Sequence, residues 1–318
     1  MLWPLRVAAL CAAPFLLGAC ASRVPRPDYL PILHSNPSPP SLLPARRGDN
    51  PDQPSRTLVR RFNREADHLL KRMPAESAEP AKIFERYDSR SGVLWSSNWT
   101  SRLDLTGVAW NGDRAGVLIT RQHILFAKHW PRHVGEWVVF HDKDGRAHWR
   151  RITGRRLIGN GRTDDLAVAR LDQPVPEQIK IYKFFPPGSF PGYTLLGARA
   201  FLTNRERQVV LRDVNSILRG YPGGDPAHLV RFREASGLPH VLQPSLQKGD
   251  SGNPGFLLLD GEPVLLETLT FGGYGRGPAL TSLEYQEAIL TAIRELGPLP
   301  VEHLLPFSHA QESQGLVR

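Results

Sequence analysis

Cysteine is almost missing from this chain of 318 residues: Cys11 and Cys20 are the only two, and both fall in or at the end of the first apolar stretch. The rest of the sequence has no thiol to pair, so its fold must hold without a disulfide. The histidines are scattered without ligand spacing, and no cysteine pair is there to supplement them, so neither a metal nor another cofactor is expected. No internal period suggests a solenoid. Acidic residues are outnumbered, 31 to 40, giving a formal net charge of +9. That balance suits nucleic acid, an anionic surface or an acidic substrate, and does not choose among them. No RNA- or DNA-binding motif accompanies it, so no nucleic-acid partner is expected. With 41% hydrophobic and 22% charged residues, wholesale disorder is excluded and one substantial domain with extra segments is the starting expectation.

The start of the chain reads as an export signal: Arg6, an apolar run from Val7 to Leu17, then Gly18-Ala19-Cys20-Ala21. That run is too short for a membrane span. Leu17-Gly18-Ala19-Cys20 resembles the lipobox of bacterial lipoproteins, which implies cleavage before Cys20, its diacylation, and a membrane anchor in the periplasm or outer envelope. Ala19-Cys20-Ala21 also fits ordinary signal-peptidase cleavage, which would release a soluble periplasmic or secreted protein. The first reading is favoured because the apolar run ends directly at the cysteine.

After this signal (1–20), residues 21–54 are rich in proline and read as an extended tether. Residues 55–91 form an N-terminal extension in which Leu58, Phe62, Ala66, Leu69, Leu70 and Met73 recur at helical spacing among arginines and lysines. This basic amphipathic helix either packs on the main domain or lies on anionic headgroups, and packing is the usual fate of such a stripe. Beyond Ser91 short apolar runs alternate with turns, as in Gly107–Trp110, Asn111-Gly112-Asp113 and Ala115–Thr120. Strand patterns follow at Glu136–His141, Ala147–Ile152, Leu166–Leu171, Thr194–Thr203, Gln208–Ile217 and Pro263–Phe271, which predicts a mostly β barrel or sandwich. Ser282 and Gly297-Pro298 bracket a closing helix, and 298–318 form a tail.

Chemistry concentrates in Lys248-Gly249-Asp250-Ser251-Gly252-Asn253-Pro254. Flanking glycines let a serine hydroxyl be presented to a cleft, while the amides of Gly249 and Ser251 can point together at a developing oxyanion. Alone, the motif also fits a simple strand-joining turn. A serine nucleophile needs a base, and His123 and His129 are the candidates nearest a strand end. His133, His141 and His148 read as surface residues.

The run Gly116–His129, ending in Ala127-Lys128-His129, resembles the segment carrying the base in trypsin/chymotrypsin-like serine proteases, and Asp165-Leu166-Ala167-Val168 resembles that family's aspartate strand. The order His, Asp, Ser is chymotrypsin-like. The resemblance covers roughly Gly92 to Gly297. It implies an all-β fold of two six-stranded antiparallel barrels with a C-terminal helix. It further implies a catalytic His129, Asp165 and Ser251 acting on a polypeptide substrate, an oxyanion hole at Gly249 and Ser251, substrate pairing along Thr270-Phe271-Gly272, and Ser245 at the base of the primary pocket. An uncharged pocket base would favour apolar or small side chains. Three departures stand out: no disulfide, Asn253 in place of a second glycine, and no Ile-Val-Gly-Gly terminus to pair with Asp250. Asp250 is therefore expected to need an internal Arg or Lys. A catalytically inactive relative that binds peptides or polyanions in the envelope is the competing reading.

Overall fold

The computed structural model describes residues 53–71, 79–112, 114–159, 164–185, 195–219 and 228–297. The signal with Cys20, almost all of the tether, Met73, Asp113, Thr163, Thr194 and the tail from Pro298 lie outside the described residues. Helix α1 (Gln53–Leu70) comes first, then a hairpin of β1 (Phe84–Asp88) and β2 (Gly92–Trp95). β structure thus begins at Phe84, ahead of the change in sequence character at Ser91.

The first six-stranded sheet contains β3 (Val108–Ala109), β4 (Gly116–Thr120), β5 (His123–Phe126), β6 (Trp137–His141), β7 (Ala147–Ile158) and β8 (Leu166–Leu171). The second contains β9 (Arg199–Thr203), β10 (Val209–Arg219), β11 (His228–Glu234), β12 (Pro254–Leu259), β13 (Glu262–Thr268) and β14 (Arg276–Pro278). Every pairing between these strands is antiparallel. Their orders are β3-β4-β5-β8-β7-β6 and β13-β12-β9-β10-β11-β14. Taken cyclically, each sheet runs first-second-third-sixth-fifth-fourth, so the two are topological copies opened at different seams. At the first seam the Asn111 side chain donates to the Trp137 carbonyl (2.8 Å) and accepts from the Val139 amide (3.0 Å). At the second, the Leu280 amide donates to the Leu266 carbonyl (2.9 Å). The expected pair of six-stranded antiparallel barrels is what the chain forms.

Burial explains why several strands read as continuous apolar runs and not as alternating ones. One face of β4, β5, β8 and β12 fills its own barrel and the other meets a layer between the barrels, so all or nearly all of their positions are buried. Leu118, Phe126 and Phe140 belong to the first interior, and Leu202, Val230 and Leu266 to the second. Val117, Leu125, Phe201, Phe256 and Leu265 form the layer between them. Helix α2 (Leu283–Leu296) caps that layer with Tyr285, Ile289 and Ile293. Its predicted start and stop are in place: the Ser282 hydroxyl accepts from the Tyr285 amide, and Gly297 ends it at φ 131°.

Helix α1 buries Phe62, Ala66, Leu69 and Leu70 against the barrels, while Arg56, Arg60 and Lys71 remain exposed. Phe62 meets Phe185 edge to face at 5.8 Å between ring centroids. One expectation fails here. His141 is fully buried, because the β1–β2 hairpin covers its end of β6 and sets Tyr87 and Phe84 against the ring. Burial pushes its pKa down to about 4. His148 is half-covered and bonds Asp142 at 2.9 Å, whereas His133 is exposed as expected.

Because Phe62 is wholly enclosed, Phe62→Ala is expected to destabilise the chain by about 3–5 kcal/mol. Urea unfolding followed by tryptophan fluorescence measures it, and a change below about 1 kcal/mol would show that α1 is dispensable to the barrels.

Candidate active site

Strand β5 ends at Phe126, and the chain turns back over Ala127–Trp130, with the Trp130 amide donating to the Ala127 carbonyl at 3.3 Å. The turn is stitched to the segment entering β8. The Lys128 amide donates to the Asp165 carbonyl (3.3 Å), and the Lys128 ammonium donates to the carbonyls of Ile158 (2.9 Å) and Gly159 (3.0 Å). Asp165, 1% exposed, accepts twice from one residue: the His129 main-chain amide reaches Oδ1 at 2.7 Å and the imidazole Nδ1 reaches Oδ2 at 2.6 Å. A carboxylate only accepts, so Nδ1 carries the hydrogen and Nε2 of the neutral ring is left with its lone pair. That lone pair faces Ser251 Oγ at 2.9 Å. The hydrogen bond that His129 donates to Asp165 raises the His129 pKa above the usual imidazole value, outweighing the burial that lowers it.

The neighbouring aspartate is engaged elsewhere, since the Tyr285 hydroxyl of α2 donates to Asp164 Oδ1 at 2.9 Å. His123 is likewise engaged. It is fully buried in β5 with Nδ1 2.9 Å from the Thr120 hydroxyl, and burial followed by the charge of Arg170 lowers its pKa to about 4. The structure therefore brings together His129, Asp165 and Ser251, and keeps His123 in the core.

Ser251 lies in a tight turn made by its neighbours. The Asp250 amide donates to the Gln247 carbonyl (3.0 Å) and the Asn253 amide to the Asp250 carbonyl (3.1 Å). Gly252 has φ 83°, and a Cβ there would lie 2.7 Å from the Ala115 carbonyl oxygen at the entry to β4, so only glycine lets this turn press on the first barrel. Asn253 is a working part of the turn: its amide donates to the Asp250 carbonyl (3.0 Å) and its oxygen accepts from Thr203 of β9 (3.2 Å). Gly249 has φ 100°. Among the described residues no acceptor takes the main-chain N–H of Gly249 or of Ser251.

Asp250 is buried, and its partners differ from the expected Arg or Lys side chain. The amide of Arg205 reaches Oδ1 at 2.8 Å and the amide of Gln247 reaches Oδ2 at 2.7 Å. Arg205 belongs to the turn from β9 to β10, closed by the Arg207 amide on the Asn204 carbonyl at 2.9 Å. Its guanidinium donates to the Lys248 carbonyl at 3.0 Å, binding that turn to the serine turn. Burial raises the Asp250 pKa, and the two amides and the Arg205 charge hold the rise in check. Nothing in the sequence pairs Asp250 with residue 205, because a main-chain donor carries no residue signature.

Thr270-Phe271-Gly272 runs on from β13 beside the serine turn. The amides of Thr270 and Phe271 both reach the Arg276 carbonyl, at 3.0 and 3.1 Å, and Arg276 stacks on the Phe271 ring. Facing them, Ser245 is exposed and Leu246 is the side chain turned inward, 3% exposed. Successive side chains of an extended segment alternate, so Ser245, which the resemblance puts at the base of the primary pocket, faces outward here and its neighbour faces in. The gap is shut by main chain. The Leu246 amide donates to the Gly273 carbonyl (2.9 Å), and the Gly273 amide donates to the Leu246 carbonyl (2.7 Å). A Cβ on Gly272 would stand 2.6 Å from the Leu246 oxygen.

Solved structures similar to this chain include a human heparin binding protein, with a TM-score of 0.46, 15% identity, and cover of 63% of this chain and 96% of that one. Kallikrein-related peptidase 10 gives 0.43 and 18%, covering 59% and 94%. An inactivated protease paralogue of the scabies mite gives 0.42 and 13%, covering 59% and 92%. No family model matches the sequence, and no curated protein is significantly similar to it.

An NMR titration of the His129 ring is expected to show a midpoint above the ordinary 6.5. In Asp165→Asn the midpoint should fall, since the raising hydrogen bond and charge are both weakened. An unchanged midpoint would separate the imidazole from that carboxylate.

Proposed function

We propose that the chain is a serine endopeptidase that hydrolyses peptide bonds through an acyl-enzyme intermediate, with His129 as general base, Asp165 as its orienting partner and Ser251 as nucleophile. The observation that carries this reading is the unbroken line of contacts, 2.6 Å from Asp165 to His129 and 2.9 Å from His129 to Ser251. As Ser251 Oγ attacks the scissile carbonyl carbon, Nε2 takes its proton. The imidazolium that results is stabilised by the buried carboxylate of Asp165. The carbonyl oxygen, now negative, faces the amides of Gly249 and Ser251, whose hydrogens have no other acceptor among the described residues. Collapse of the tetrahedral species breaks the C–N bond, and His129 returns the proton to the leaving amine. Water then attacks the ester with His129 again as base, releasing the acid and restoring the serine.

The substrate main chain would lie along Thr270-Phe271-Gly272 as an added strand. Since Asp250 already has a donor on each carboxylate oxygen, the serine turn needs no freed N-terminus to hold it, and the reading requires no activating cleavage. The proposal includes a location in the bacterial envelope on a lipid anchor at Cys20, supported by the export-signal pattern of the sequence ahead of it, with soluble export as the alternative. A second reading, an inactive module that binds peptides or polyanions, draws on the shut gap between Leu246 and Gly273.

A fluorophosphonate probe decides between them: Ser251 is expected to be labelled, with labelling lost in Ser251→Ala, and failure to label under any condition would favour the inactive module. With a peptide substrate, kcat/KM should fall as pH drops through the raised pKa of His129, because only the neutral ring accepts a proton. Asp165→Asn should reduce kcat by about 10⁴-fold, the effect this change has in trypsin-type triads.

Arg205→Pro tests the anchoring of the serine turn. Position 205 follows Asn204 in the closed turn, where proline is accepted. Arg205→Pro loses both the N–H donor and the guanidinium bond to Lys248, whereas Arg205→Ala loses only the second, so the difference between the two variants reports the amide. Leaving one Asp250 oxygen unpaired costs about 1–3 kcal/mol, so labelling should slow by about 10- to 100-fold. Arg205→Ala keeps the amide and should label nearly as the parent does. Equal rates for both variants would remove that amide from the mechanism.

A further inference from the structure

Glu267 is an acidic residue next to the last position of the mostly apolar strand β13, and it is wholly buried. Among the described residues neither of its carboxylate oxygens has a hydrogen-bond partner. The carboxylate occupies space made by two glycines. A Cβ on Gly255 of β12 would lie 2.4 Å from Oε1, and one on Gly277 of β14 would lie 2.2 Å from Oε2. So two adjoining strands lack side chains where this carboxylate reaches, and nothing there answers its charge.

Its position follows from the strands on either side. Leu246, the side chain that fills the gap beside Ser251, packs with Leu269 and Leu202 around Gly275, whose added Cβ would stand 2.7 Å from Leu246. Gly277 lies two residues beyond Gly275 in the chain, and Glu267 lies two residues before Leu269. Along both segments the carboxylate is therefore about two residues from the Leu246 contact, on the order of 6.6 Å further in at about 3.3 Å per residue. That depth matches the apolar stem of a lysine or arginine whose head carries the charge. A group entering past Leu246 would meet apolar walls first and a carboxylate at the end.

We propose that Glu267 is the counter-ion for a lysine or arginine side chain of the substrate, at the end of a slot that Leu246 fills while no substrate is bound. The inference rests on the reading of Ser251 as nucleophile, and it replaces the uncharged pocket base expected at Ser245. Entry of the cation parts Leu246 from Gly273, breaking two main-chain hydrogen bonds. In exchange, the buried carboxyl gives up its proton and gains a charge-assisted partner. While the slot is shut, burial holds the Glu267 pKa far above the carboxylate range, so the empty state stores a proton there in place of an unpaired charge.

The experiment compares matched fluorogenic peptides that differ only before the scissile bond: Arg, Lys, citrulline, Leu and Ala. Arg and Lys are expected to exceed citrulline in kcat/KM by on the order of a hundredfold, and Glu267→Gln should bring them within a few fold while fluorophosphonate labelling of Ser251 continues unchanged. Benzamidine, a small cation, should raise the unfolding temperature of the parent and not of Glu267→Gln, and Leu246→Gly should bind it more tightly by opening the slot. Intact labelling with Arg no better than citrulline would overturn the assignment, leaving Glu267 a neutral packing group and the proposed chemistry standing. Absence of labelling would overturn the nucleophile instead, and the benzamidine shift would still judge Glu267 by itself.

Discussion

The apolar layer between the two barrels is what every distance at the site depends on. His129 and Asp165 belong to the first sheet and its turns, Ser251 to the second, and 122 residues separate histidine from serine. No disulfide ties one barrel to the other. Their alignment is set by Val117 and Leu125 from one side, Phe256 and Leu265 from the other, and α2 across the top. Gly252 closes the arrangement locally, because its bare α-carbon lets the serine turn rest on the Ala115 carbonyl. An apolar layer is non-directional, but at the density of a protein interior it permits little sliding. A hydrogen bond of 2.9 Å across that boundary is possible only under such packing.

Buried charge in the second barrel is handled in three ways, and the contrast is informative. Asp250 is answered by main-chain amides from two turns. Arg212 is 1% exposed and donates to the carbonyls of Leu211, Gln243, Pro244 and Tyr274, beside the Leu246–Gly273 pair. Arg199 and Asp213 answer each other at 2.8 Å. Each of these groups has partners that offset the cost of leaving water. Glu267 stands apart because it has none, and it lies deeper along the same wall that Leu246 and Leu269 form.

Much of this was legible from residues alone, and the reasons differ from place to place. Gly-Asp-Ser-Gly is short and local, so its turn was readable directly. Which histidine meets Ser251 is less legible, because His123 and His129 are both plausible by position, and only the Ala-Lys-His pattern points to the second. The helix limits at Ser282 and Gly297 were readable because caps are local chemistry. The sequence patterns do not mark strands β1, β2, β11, β12 and β14. β12 is buried on both faces and shows no alternation, while β14 is three residues long. The burial of His141 is not legible locally because its cover comes from a hairpin some fifty residues earlier in the chain, and residue spacing does not say whether Ser245 or Leu246 turns inward. Glu267 does carry a local signal, as the one acidic residue in the mostly apolar run Pro263–Leu269.

The shut gap and the uncompensated carboxylate below it belong to a single balance. Two main-chain bonds and a buried leucine favour closure, each bond contributing about 1 kcal/mol net. Closure also confines Glu267 to its neutral form, since an ionised carboxyl without a partner would cost several kcal/mol there. Whatever opens the gap must therefore bring a group that makes the ionised form worth having, and water alone does this poorly in a space bounded by Leu202, Leu246 and Leu269. A cation on an apolar stem meets both conditions at once. In the proposed opening the serine turn is not remade, because Asp250 is held from the other side by Arg205 and Gln247, and so His129, Asp165 and Ser251 can stay aligned while the wall beside them moves.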